Sequence, residues 1–188
     1  MKRISFLVFF IAGLVHCFLL RAQTLPPVDK SPLDISYYPY NYPVLKIQNK
    51  ITEPLLARVI YSRPRKEGRK LFGGLVEYGK LWRLGANEAT EIEFFKPVRI
   101  NGKRIGKGRY TLYAIAQEKT WTIIINKDTD TWGHFKYDPK KDLQRVELPV
   151  QRSTDITEAF TMAFEKTVTG INLIIAWDNV RVAMPIVH

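Results

Sequence analysis

Hydrophobic positions along this chain recur at every second residue. Ile171, Leu173, Ile175 and Trp177 alternate with other residues, and beyond Asp178-Asn179 so do Val180, Val182, Met184 and Ile186. A period of two marks a half-buried strand, and the polar pair between the two runs predicts antiparallel strands joined by a tight turn. Within 156–165, Ile156, Phe160, Met162 and Phe164 share one face, interrupted by Glu158, while Thr157, Ala159, Thr161 and Ala163 take the other. Further strands are predicted over 55–62, 90–95, 98–100, 109–116, 121–126 and 145–150. Asn101-Gly102, set between Val98-Arg99-Ile100 and Lys103-Arg104-Ile105, is the clearest hairpin signal, because both turn residues accept positive φ. No stretch of helical length keeps a 3.6 spacing. About eight to nine short strands predict an all-β fold, a single-domain antiparallel β-sandwich or flattened barrel over 54–188.

Two segments break the alternation. Residues 23–53 are rich in Pro and Tyr (Pro26, Pro27, Pro32, Pro39, Tyr37, Tyr38, Tyr40, Tyr42) and read as an extended arm laid against the domain by its aromatic side chains. Met1-Lys2-Arg3 followed by the uncharged, largely apolar run Ile4 to Leu20 has the layout of a secretory signal peptide, with cleavage expected after Ala22. The expected location is therefore exported, periplasmic or secreted, with membrane attachment only if the segment is retained as an anchor. A lipoprotein reading of Cys17 meets His16 where a small residue is wanted.

Composition narrows the chemistry. The chain has 188 residues, 46% of them apolar, enough for one ordinary core. Its only Cys, Cys17, lies in the expected signal peptide, so the mature protein has no disulfide framework. The formal charge of +11 suggests nucleic acid at first sight. Removing residues 1–22 leaves 26 basic against 18 acidic residues, +8, and 14 of those basic residues lie within Arg58 to Arg109 beside only 5 acidic ones. An exported protein with one local basic region is not expected to take nucleic acid as its partner; a solvated face, or one drawn to anionic envelope polymers, accounts for the excess.

One region is denser in unusual residues than any other. It runs from Tyr61-Ser62-Arg63-Pro64 through Leu71-Phe72-Gly73-Gly74 to Tyr78-Gly79-Lys80-Leu81-Trp82-Arg83-Leu84-Gly85-Ala86-Asn87-Glu88. With Gly108-Arg109-Tyr110, Trp121-Thr122-Ile123, Trp132-Gly133, Tyr137-Asp138 and Ala176-Trp177-Asp178, it resembles the family known as domain of unknown function 2911, over roughly Leu55 to Ile186. The resemblance implies an exported bacterial protein and supplies no reaction. The sequence departs from the family pattern at His134, where a small residue usually follows Trp-Gly.

The candidate ligand-binding residues are Arg63, Arg69, Trp82, Arg83, Asn87 and Glu88. Arg presents a planar fork to carboxylate, phosphate or sulfate, Asn adds an amide and Glu an acceptor for sugar hydroxyls or a general base. The structural alternative is an Arg83–Glu88 ion pair with Asn87 capping a turn, all of it holding a loop in place. Trp82 and Trp132 are the candidate stacking platforms, whereas Trp121 and Trp177 fall on apolar strand faces and read as core. Gly74 to Leu81 has the spacing of a phosphate loop but ends on Leu81 where a Ser or Thr is needed, so its glycines are read as turns around an apolar insertion. Asp138 or Asp142 could pair with Glu88 for glycosidic chemistry, although Asp-Pro is first a turn and Asp142 with Arg145 a surface pair. Asp128 and Asp130 lack the further oxygen ligands of a Ca²⁺ loop. With His134 and His188 as the only histidines beyond residue 22, no metal site, no triad and no cofactor is expected. The readings rank as a module binding an anionic or carbohydrate-like envelope ligand, then a structural or protein-interaction module, then a carboxylate-dependent hydrolase.

Overall fold

The structure, a computed structural model, describes residues 24–188. The basic start, apolar run, cleavage position and Cys17 discussed above lie outside the described residues. Among the described residues, eleven strands form two antiparallel sheets that stay open, making a sandwich rather than a barrel. The larger sheet orders β1 (Leu33–Tyr38), β2 (Ala57–Ser62), β4 (Glu91–Phe94), β7 (Gly108–Ala116), β8 (Thr120–Asn126) and β9 (Asp142–Pro149), with the two-residue β3 (Leu81–Trp82) also paired to β7. The smaller orders β10 (Gln151–Lys166), β11 (Gly170–Val187), β5 (Val98–Ile100) and β6 (Lys103–Ile105).

β11 is folded back on itself. A straight strand of its length would run about 60 Å, yet a Cβ on Gly170 would lie 2.2 Å from Ile186 O and 3.0 Å from Val187 Cα. The two ends of β11 are therefore side by side. The reversal falls at Asp178-Asn179, where Asp178 takes φ 54°, which is the turn the alternation predicts. β10 runs around the outside of this reversal: Arg152 pairs with Val180 and Thr161 with Ala176, so nine steps along β10 match four along β11. The excess length in that detour leaves Ile156 exposed, and only Phe160, Met162 and partly Phe164 fill the core face expected of the whole segment.

The core between the sheets is centred on aromatic rings. Trp121 of β8 and Trp177 of β11 are each 1% exposed, as their apolar strand faces predict. The segment 63–80 lies along β10, with Lys66 N donating to Glu158 O and Phe160 N to Pro64 O. It inserts Leu71, Phe72 and Val76 into the core. Gly74 is needed at this plug because a Cβ would lie 2.5 Å from Lys70 O. The glycines thus serve turns and close approach around an apolar insertion.

Part of the stretch read as an extended arm is built into the fold. β1 pairs with β2 along its length, and a short helix α1 (Tyr42–Ile47) follows. Residues 24–30 remain exposed and without regular structure. Among the described residues no helix is long and apolar enough to cross a membrane.

Candidate functional site

The six candidate residues do not converge. Arg63 holds the edge of the sandwich: its guanidinium pairs with Asp34 of β1 at 2.9 Å and donates to Phe160 O and Thr161 Oγ1 of β10. Arg69 is spent within its own loop, donating to Lys66 O at 3.0 Å and also to Arg65 O. Trp82 is 8% exposed and stacks on Trp177 at 6.1 Å with 16° between the rings, with Trp121 and Phe160 edge-on. It offers no open face to a ligand, because the pairing of Trp82 in β3 with Ala114 of β7 turns its ring into the core.

Arg83, Asn87 and Glu88 are different. They sit on a loop closed by Thr90 N donating to Arg83 O at 3.1 Å. Four successive carbonyls inside it each accept a hydrogen bond. Leu84 O accepts from Thr90 Oγ1 at 2.5 Å, Gly85 O from Trp82 Nε1 at 3.1 Å, Ala86 O from Ser62 Oγ at 2.5 Å and Asn87 O from Gly133 N at 2.9 Å. These bonds hold Leu84 at φ 59° and Asn87 at φ 56°. Asn tolerates that region, but a bulky residue such as Leu enters it only when its surroundings insist. The backbone is thus held rigidly by partners that do not include the three polar side chains. Among the described residues, the side chains of Arg83, Asn87 and Glu88 make no hydrogen bond or ion pair within the protein, so the expected alternative of an Arg83–Glu88 lock does not form.

A second loop is zipped to the first. Ala89 N donates to Thr131 O at 3.0 Å, and Glu88 and Trp132 form a β-bridge. Trp132 and Phe135 on this loop are 61% and 74% exposed and stack at 5.9 Å with 13° between their rings. His134 stacks on the same Phe135 ring at 5.5 Å. Gly133 makes this arrangement possible: it sits at φ 68°, and a Cβ there would lie 2.7 Å from the Phe135 ring. The two loops border a groove of about 420 Å³ lined by Leu33, Ile60, Glu88, Ala89, Glu91, Asp130, Thr131 and Trp132. Arg109 bridges two of its carboxylates, at 3.2 Å from Glu91 and 2.5 Å from Asp130, leaving Glu88 without a cation.

Burial acts on two groups of these loops, Arg83 and His134, neither of which lines the groove. It lowers the pKa of Arg83, and it lowers that of His134, with the Arg83 charge adding to the effect. Arg83 Nε and His134 Nδ1 are both buried and find no partner in the protein.

The carboxylates considered for hydrolysis are occupied. Asp138 accepts from Lys140 N as the cap of the 3-10 turn Pro139–Lys141. Asp142 accepts from Asn126 Nδ2, the Tyr137 hydroxyl and Arg145. Burial and this bond push the Tyr137 phenol up to about 12. Neither Asp138 nor Asp142 lines the groove with Glu88. On the far hairpin, Arg99 faces Arg104 directly and both are exposed, a solvated part of the basic region. Among the described residues, no group of three or more His, Cys, Asp or Glu side chains could hold a metal ion.

The sequence model of a family described as protein of unknown function (DUF2911) matches residues 43–186. The chain belongs to this family. No curated protein and no solved structure matches it. The span shared with DUF2911 takes in every strand from β2 to β10, nearly all of β11, both loops of the groove and all six candidate residues. β1, which supplies Leu33 to the groove and Asp34 to Arg63, lies before the DUF2911 span.

Proposed function

We propose that the protein is an exported binding module whose groove holds a carbohydrate-like ligand of the cell envelope, with Trp132 as the stacking platform and Glu88 as its polar contact in the lining, on the same loop as Arg83 and Asn87. One observation carries this reading. A loop whose backbone is tied at four successive carbonyls leaves its three polar side chains without partners in the protein, and rigid backbone presenting uncommitted polar groups is how a site is preorganised. Sugars suit what surrounds it, since an aromatic face takes their apolar side while Glu88 accepts from hydroxyls.

Arg63 and Arg69 favour a second reading in part: both hold loops, which is the behaviour expected of a structural or interaction module. Titration calorimetry against oligosaccharides from peptidoglycan and from neutral and acidic envelope polysaccharides separates the two. At least one sugar is expected to bind, and Trp132→Ala, at an exposed position, to weaken it about tenfold or more without moving the melting temperature. Binding by none of them, or equal binding by Trp132→Ala, overturns the groove reading in favour of the structural one.

A further inference from the structure

Residues 96–108 contain five basic side chains, Lys96, Arg99, Lys103, Arg104 and Lys107, and no acidic one. They span the β5–β6 hairpin, where Val98 and Ile100 are buried and Arg99 between them is exposed. Arg99 pairs directly with Arg104 on one side and with Val187 of β11 on the other. Directly opposed residues of antiparallel strands share a face with Cβ atoms about 5 Å apart, and like charges so placed repel. Elsewhere in the basic region arginine is neutralised: Arg58, Arg63, Arg65 and Arg109 each meet a carboxylate. Among the described residues Arg99 and Arg104 meet none. The Arg99 side chain donates only to Gly102 O at 3.3 Å, and that of Arg104 makes no hydrogen bond.

Both arginines line an open hollow of about 270 Å³, with Pro97, Val98, Val187 and His188. A second hollow of about 470 Å³ shares Arg99 and Val187 with the first and reaches Val146 and Leu148 of β9. The hairpin beside them is held in place, since Lys103 Nζ donates to Leu143 O of β9. The only acidic side chain lining either hollow is Glu147, in the second.

We infer that Arg99 and Arg104 form a second binding site, separate from the groove, that takes a carboxylate or phosphate group of an anionic glycan. One oxyanion set between the two guanidiniums accepts from both and offsets their repulsion, and the adjoining hollow has room for a neighbouring sugar. A concave surface suits a glycan better than a bilayer, which needs a projecting apolar face; Val187 is the one large hydrophobic residue exposed in the lining of these hollows. The groove carries Glu88, Glu91 and Asp130 in its lining and disfavours the same anion.

NMR of the backbone amides and Arg Nε–H groups at low salt, with trigalacturonate, glucose 6-phosphate and neutral maltotriose as probes, tests this. The two anions are expected to shift Arg99, Arg104 and Val187 together and saturably, the tighter of them naming the oxyanion, while maltotriose leaves all three unmoved. Arg99→Gln/Arg104→Gln is expected to weaken the tighter anion about tenfold or more, with a melting temperature equal to wild type or higher because the repulsion is gone. Lys46→Gln/Lys50→Gln removes the same charge from exposed positions in and after α1 and is expected to weaken it less than twofold. Equal weakening by the two double variants, or no saturable shift at Arg99 and Arg104 with either anion, overturns the site and leaves the hairpin a solvated face. Binding to phosphatidylglycerol vesicles with none to the soluble anions overturns the glycan in favour of a membrane surface. Trp132→Ala is expected to leave the anion shifts unchanged, so that this site and the groove reading stand or fall separately.

Discussion

Trp82→Ala is expected to lower the unfolding free energy by about 3–5 kcal/mol, measured by urea denaturation. The ring is 8% exposed and packed among Trp177, Trp121, Phe160 and Phe72, so truncation opens a cavity that four other aromatic residues cannot close. It also removes the donor to Gly85 O, leaving a buried carbonyl unsatisfied. Trp82→Phe keeps much of the packing and still loses that bond, so it should fall between wild type and the Ala protein. A loss below about 1 kcal/mol in Trp82→Ala would show that the indole is not the core anchor described here.

Gly170→Ala is expected to destabilise by about 1–3 kcal/mol or more. Gly to Ala inside a strand ordinarily helps, by reducing the freedom of the unfolded chain. Here the new methyl would lie 2.2 Å from Ile186 O, a backbone atom that cannot step aside without shifting the end of β11. The sign of the effect therefore reports the path of the strand. A neutral or stabilising result in thermal melting would mean that the two ends of β11 are apart.

What the sequence made legible was what depends on local pattern. The alternation on either side of Asp178-Asn179 predicts the reversal, and Asn101-Gly102 predicts the β5–β6 hairpin, because inward-facing side chains and turn residues leave marks within a few positions. β1 escaped because its short alternation is framed by Pro32 and Pro39, and because Leu33 and Ile35 on it stay exposed. The division of the six candidate residues into structural and available ones was not legible at all. Arg63 is claimed by Asp34 and by β10, far away in sequence. Trp82 and Trp132 look alike in their Gly-containing surroundings, and only pairing with Ala114 sends Trp82 inward. The available residues are recognised by what their backbone does, through bonds to Ser62, Trp82, Thr90 and Gly133 that bring together three parts of the chain.

The central claim is that the loop is held by its backbone and not by Arg83 or Glu88, whose side chains make no bond in the described part of the protein. Urea unfolding of the double variant Arg83→Gln/Glu88→Gln tests it most directly, with no ligand needed. The expected result is a stability within about 1 kcal/mol of wild type, since neither side chain makes a bond in the protein and removing a half-buried unpaired guanidinium relieves a cost. A loss of about 3–5 kcal/mol, the size expected when a buried charge network is broken, would contradict it and make the pair a structural lock.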